Sequence, residues 1–301
     1  MRTLHLHLDD ALAGQHRMRM SARRHGLVDL EARDLGPSLR LWTRPRPLAE
    51  LRRRLRHAMA GEDSWLTFAG SGDFHHVSLP LIARAADRSP QGLTVVHFDN
   101  HPDWVRFGRG LHCGSWVGRV LRLPSVRRLI TVGVCSKDIE RPRNTDLAPV
   151  REGRLEIYPY RRAGGEQSLE LCGRQWPTIQ HLGEQNFLDL LRQRIQTRDV
   201  YVTIDKDALR PADAITNWDQ GELSLQGLAG LVRGLARDHD IVGADVVGDW
   251  STPQYTRGVD GWLKRAEAFM DQPRRPAGNQ VAVNELANEF LLRLFAEVIT
   301  G

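Results

Sequence analysis

Lysine is scarce in this chain. Lys137, Lys206 and Lys264 are the only three in 301 residues, so nearly all the positive charge behind a formal net charge of +5 is arginine. The densest basic stretch, LRRRLRH at 51–57, has no aromatic residue between its arginines on which a base would stack, and it reads as a solvated helix face. Cysteine is scarce too. Cys113, Cys135 and Cys172 form no Cys-x-x-Cys pair, and their odd number argues against a disulfide framework. No apolar run approaches the roughly 20 residues of a membrane span. The opening MRTLHLHLDDALAG lacks the apolar core of a signal peptide. Internal repeats and low-complexity stretches are also missing. These absences lead to the expectation of a cytoplasmic chain with neither a membrane nor a nucleic-acid partner.

What is present is an ordinary globular composition, 41% hydrophobic and 26% charged, with ample length to bury a core. Six short aliphatic and β-branched runs read as buried strands: 4–8, 64–70, 93–99, 128–134, 199–205 and 240–247. Stretches with helical periodicity lie between or after them, at 76–88, 115–123, 187–198, 224–239 and 284–299, with Ser224 as an N-cap. Alternating strands and helices point to an α/β fold with a parallel sheet covered on both faces. Segments 136–186 and 250–283, rich in Arg, Pro, Gly and Gln, read as irregular connections and not as linkers, so the expected organisation is one domain over residues 1–301. Ligands of such sheets bind beyond the carboxyl ends of the strands. The residues just after each strand are therefore the ones that matter.

Three of those strand ends carry the same kind of chemistry. VVHFDNHPDW (95–104) places Asp99, His101 and Asp103 at alternate positions, on one side of an extended chain. YVTIDKDAL (201–209) repeats the alternation with Asp205 and Asp207. FAGSGDFHHVS (68–78) ends a strand in a glycine-rich turn bearing Asp73, His75 and His76. Taken singly, each fits a polar turn or a helix cap. Together, one of the two histidines and five alternating residues supply six ligands. Clustered carboxylates repel one another, and a divalent cation supplies the missing counter-charge. Six ligands are too many for one tetrahedral zinc and suit two cations sharing carboxylates. Oxygen and nitrogen donors without thiolate suit manganese best, with iron, cobalt, nickel and zinc as alternatives.

At this point the sequence resembles the arginase/ureohydrolase superfamily. Members typically show a Gly-Gly-Asp-His turn, then Asp-Ala-His-x-Asp, then Ser-x-Asp-x-Asp-x-x-Asp-Pro. GSGDFHH resembles the first, DNHPD the second and TIDKDALRP the third, in the same order, across roughly residues 64–250. The resemblance implies a three-layer α/β/α sandwich around a mostly parallel sheet. It implies that Asp99, His101, Asp103, Asp205 and Asp207 are metal ligands, with His75 as the sixth and His76 as the alternative. It makes His112 of GLHCGSW the group that protonates the leaving amine, and gives Asp103 a second role in holding the nucleophile. The implied reaction is attack of a metal-bridging hydroxide on a trigonal carbon, usually that of a guanidinium. Many members assemble as trimers or hexamers, so a homo-oligomer is an expectation of the resemblance alone.

Three departures bear on the substrate. Aligning Asp245 puts Gly248 where arginase-type members bind the guanidinium with a glutamate; Asp249 is adjacent. Arg210 replaces the last aspartate of the third motif, although Pro211 remains. Lys206 stands between two supposed ligands and is expected to point away from them, salt-bridged or exposed. Trp218 and Asp219 of TNWDQGELS occupy the place of a substrate-lining loop. The expected substrate-binding residues are therefore Trp218, Asp219 and Asp249, for a small guanidino compound other than arginine. Two readings stand beside this one: an amide hydrolase of deacetylase type using one metal, and a catalytically degenerate, metal-binding regulatory protein. Cys113, beside His112, reads as a buried, inert thiol.

Overall fold

The six expected strand runs form the middle of one sheet. In the computed structural model, which describes residues 1–61, 63–140, 142, 144–273 and 278–299, eight strands pair in parallel throughout. In chain order they are β1 (Arg2–His7), β2 (Val28–Glu31), β3 (Trp65–Phe68), β4 (Leu93–Phe98), β5 (Val126–Val134), β6 (Leu155–Pro159), β7 (Asp199–Asp205) and β8 (Asp240–Val247). Their order across the sheet is β2-β1-β3-β8-β7-β4-β5-β6. Both strands that periodicity does not reveal, β2 and β6, lie at the two edges. Edge strands tolerate acidic residues and proline, and VDLE and LEIYP carry them.

Helices flank the sheet. Those of seven residues or more, among the described residues, are α1 (His16–Ala22), α2 (Pro45–Ala58), α3 (Ser78–Asp87), α4 (Glu184–Arg194), α5 (Leu225–Leu235), α6 (Val259–Asp271) and α7 (Gln280–Val298). The basic stretch 51–57 lies on α2, and Leu51 and Leu55 are its buried residues. Ser224 caps α5, its hydroxyl accepting from Gly227 N at 2.9 Å. Helices α4, α5, α7 and α1 touch in that order and form one covering layer. No helix is long and apolar enough to cross a membrane, among the described residues.

The segments expected to be irregular are partly ordered. Residues 136–186 include β6 and a hairpin, Ser168–Leu171 with Arg174–Pro177, closed by Cys172 and Gly173 at φ +54° and +71°. Residues 250–283 include α6. Its apolar residues do not mark one buried stripe, because Val259, Trp262, Phe269 and Met270 are exposed.

Beneath β7 and β8 lies a fully buried ion pair. Lys206 Nζ donates to Asp249 Oδ1 at 2.8 Å and to Asn288 Oδ1 at 2.9 Å. Gln15 Nε2 donates to the same carboxylate at 2.8 Å. As expected, Lys206 is salt-bridged and turned from Asp205 and Asp207. The network ties α7 and the segment before α1 to the ends of the two strands. Removing one partner leaves a buried charge uncompensated, at a cost of about 3–5 kcal/mol. Asp249→Ala is therefore expected to lower unfolding free energy by about that amount in chemical denaturation, with Lys206→Met on the same chain recovering part of the loss.

Candidate metal centre

Strands β3, β8, β7 and β4 lie side by side, so their carboxyl ends open on one place. Ile204 pairs with Phe98, and one residue further along stand Asp205 and Asp99. The convergence of the remaining candidate ligands is not the strand alternation expected from sequence. Strand β4 stops at Phe98, and the chain turns until Asp103, at φ +48°, sits in the left-handed region. That conformation is costly for a residue with a Cβ and is held by its surroundings: Trp116 Nε1 donates to Asp103 Oδ2 at 2.6 Å. Asp207 likewise lies in a single turn of 3-10 helix, Lys206–Ala208, whose start Asp205 caps by accepting from Asp207 N.

The glycine-rich turn after β3 becomes another 3-10 helix, Gly72–Val77. It brings His75 Nδ1 to 3.0 Å from Asp99 Oδ2, 3.2 Å from Asp103 Oδ2 and 3.6 Å from Asp205 Oδ2. His76 does not join the group. It is buried, and neither ring nitrogen has a hydrogen-bond partner. Across the centre, His101 Nδ1 lies 2.8 Å from Asp207 Oδ2 and 3.6 Å from Asp99 Oδ1. Asp99 thus turns one oxygen to each histidine.

The hydrogen bonds behind the two imidazoles fix their tautomers. Thr203 spends its one hydroxyl proton on Asp245 at 2.9 Å, so it accepts from His75 Nε2 at 3.0 Å. Ser78 and Tyr201 also donate to Asp245, at 2.7 and 2.8 Å. His101 Nε2 faces Asp219 Oδ1 at 2.9 Å. In the neutral rings both Nδ1 atoms then carry lone pairs aimed at the carboxylates, as metal-ligating histidines require.

The charges here do not balance. Burial, then Asp99, pushes the Asp205 carboxyl up to about 7. Burial, then Asp205, pushes Asp207 well above the usual carboxylate range. Burial opposes protonation of His75, yet Asp103 and Asp99 outweigh it and hold the ring well above its ordinary value. The donor set therefore gathers protons in place of cations, and divalent ions fit it. The space agrees. A Cβ on Gly72 would lie 2.5 Å from Asp205 Oδ2, and one on Gly248 would lie 2.4 Å from Asp205 Oδ1 and 2.5 Å from Lys206 N. Two glycines cradle this carboxylate, and Gly248, at φ +94°, leaves no room for a glutamate.

A cleft of about 860 Å³ opens over the cluster and is also lined by His112, Trp218 and Asp219. His112 Nδ1 accepts from Gly114 N at 2.8 Å, and its Nε2 pairs with Glu267 of α6. Trp218 meets the His101 ring edge-on at 5.7 Å and donates to Asp73 Oδ1 at 2.9 Å. Asp249 is a correction. It is 0% exposed and turned into the Lys206 network, two residues past the end of β8 and directly after Gly248, whose φ of +94° takes the chain out of the extended form. Cys113 is buried, and burial pushes its thiol well above the ordinary value. Sequence reasoning passes over His97, Trp116 and Glu267. His97 Nε2 lies 2.8 Å from Asp99 Oδ2, and its signal was available: it extends the alternation of 99 and 101 one step back. Nothing local in the sequence marks Glu267, which comes 155 residues after His112.

The parallel sheet thus brings Asp and His side chains from several strand ends into one cleft, in groups that could hold metal ions. The family model described as the arginase family matches residues 8–256, and the chain belongs to that family. An uncharacterized protein of Thermotoga maritima is 26% identical over 184 residues, 61% of this chain and 58% of the relative. An arginase of Glycine max is 27% identical over 176 residues, 57% of this chain and 43% of the relative. The chain thus spans about half the length of the curated relatives it matches. The native arginase from Bacillus caldovelox superimposes with a TM-score of 0.60 at 16% identity, over 99% of both chains, and so shares the fold.

Two outcomes follow from this geometry. Ions entering the cluster displace protons, among them the one Asp205 holds below about pH 7. Apparent affinity for a divalent cation, measured by titration calorimetry, should be highest above pH 7 and fall about tenfold per pH unit below it for each proton displaced. Gly248→Ala should destabilise the protein by at least about 2 kcal/mol in thermal or chemical denaturation, from the left-handed backbone and the overlap with Asp205.

Proposed function

We propose that the chain is a metal-dependent hydrolase of a non-peptide carbon–nitrogen bond, of ureohydrolase type, acting on a small guanidino compound. The observation that carries this reading is Asp99, which offers separate oxygens to His75 and His101. His75, Asp99 and Asp103 with Asp205 would hold one divalent ion, and Asp99, His101 and Asp207 the other. Nitrogen and oxygen donors without thiolate favour manganese. Such a pair of ions, when bound, supplies a water nucleophile at neutral pH and a sink for the charge that develops on a trigonal carbon.

The chain's own residues supply the rest. Asp103, fixed by Trp116, would hold the attacking water by a hydrogen bond. Gly114 N–H occupies His112 Nδ1, which makes Nε2 the proton-bearing atom; that proton faces Glu267, and His112 would turn it to the leaving amine on releasing this carboxylate. Trp218 would present its ring to a cationic substrate. Asp219, besides lining the cleft, would keep His101 in its ligating tautomer. With no room for glutamate at 248 and Asp249 turned inward, arginine is not the expected substrate. Amide, formimino or modified guanidino compounds come next. The three cysteines are unpaired, consistent with a reducing cytoplasm, and a homo-oligomer accords with the family.

Elemental analysis after manganese-supplemented expression tests the reading. About two manganese ions per chain are expected, both lost in Asp99→Asn. One ion points to a mononuclear amide hydrolase, and none overturns the metallohydrolase reading. His112→Asn should keep the metal and lower turnover of any guanidino substrate found by screening by about 10²–10⁴-fold.

A further inference from the structure

A second set of ligating side chains lies outside the cleft. The run LHLHL puts His5 and His7 on one face of β1, two residues apart. Strand β2 pairs beside it and brings Asp29 opposite His5. His7 Nε2 lies 2.9 Å from Asp29 Oδ1, and His5 Nδ1 lies 3.8 Å from the same oxygen. One ligand atom from each of the three falls within 4.8 Å of the others. Donors around a tetrahedral ion at about 2.0–2.2 Å stand about 3.3–3.6 Å apart, so these positions need only small adjustment.

His5 is the unexplained residue. It is 1% exposed, its Nε2 has no partner, and 3.8 Å is beyond hydrogen-bond reach for Nδ1. Its ring stands edge-on to Phe68 at 5.8 Å and to His7 at 6.2 Å, which fixes its plane. Burial lowers its pKa to about 4, so the ring is neutral, the form that ligates. Arg19 of α1 holds Asp29 Oδ2 at 2.8 Å and leaves Oδ1 to the histidines, the arrangement of an oriented ligating carboxylate.

We propose that His5, His7 and Asp29 form a third divalent-cation site, of zinc type, with its fourth position open to water. Two imidazoles and one carboxylate without thiolate suit zinc or cobalt. The ion takes the place of the proton that His7 Nε2 shares with Asp29. That proton leaves to solvent or passes to Nδ1, where Arg33 Nη2 stands at 3.5 Å, the limit of its reach. Arg33 is held elsewhere by Asp10 and Glu31. The ion pins the edge strand β2 to β1 and thereby contributes to stability by binding only the folded chain.

The test compares manganese-loaded wild type with Asp29→Asn and His7→Gln. Each is equilibrated with zinc, freed of loose metal by gel filtration and analysed for total divalent metal. Wild type should retain one more ion per chain than either variant, and added zinc should raise its thermal midpoint alone. Equal metal content in folded wild type and variants overturns the site. Should both variants fail to fold, cobalt titration of wild type decides: visible bands of a tetrahedral nitrogen–oxygen site support it, and their absence overturns it. The Asp99 centre is judged separately, by the manganese that Asp99→Asn loses, so either site can fail without the other.

Discussion

Carboxylates that cannot all be ionised at once govern this structure. Asp99, Asp103, Asp205 and Asp207 are buried together, and burial and mutual repulsion raise three of them. Asp99 alone is held low, because His97, His101 and His75 outweigh its burial. It is thus the carboxylate most ready to serve two cations. The chain has a lysine beside the cluster that could have neutralised it permanently. Instead Lys206 is drawn to the other side of the strand end by Asp249, Asn288 and the sheet geometry. Turned to Asp249, that ammonium leaves the cluster's charge to be met by the histidines around it.

The same constraint explains the residues around the cluster. A carboxylate group that must be approached from several sides needs neighbours without side chains, hence Gly72 and Gly248. The far nitrogens of two imidazoles are occupied, by Thr203 with Asp245 behind His75 and by Asp219 behind His101. Asp245 stands in the middle of β8 and is fully buried, with three hydroxyls donating to it. A lone carboxylate there would be too costly without them. It is a device for setting one tautomer two bonds away.

Much of this was legible because strand ends are short-range objects. The Asp and His residues lie within a few positions of apolar runs, and those runs define a parallel sheet whose carboxyl ends form the site. The mechanism of convergence was not legible. Alternation assumes that the strand continues, whereas Asp103 reaches the centre through a left-handed turn and Asp207 through a 3-10 turn. The choice of His75 over His76 depends on helical phase within six residues, which periodicity cannot resolve. The edge strands escaped notice because their polarity suits an edge. Glu267 was invisible because its contact with His112 crosses most of the chain.

The outer wall of the cleft is built differently from its floor at the strand ends. The cluster sits at the ends of sheet strands that the family model spans. One wall of the cleft comes from α6, through Met270 and Asp271, while Glu267 on the same helix meets His112. That helix, Val259–Asp271, begins after the last residue the family model matches. The position from which an arginase-type glutamate would enter is closed here by the approach of Gly248 to Asp205 and Lys206. Outside the cluster, the carboxylates that line the cleft are Asp138, Asp219, on the loop before α5, and Asp271 on α6. The strand-end cluster lies within the residues that the family model matches, as does the loop that carries Asp219, whereas α6 lies beyond them.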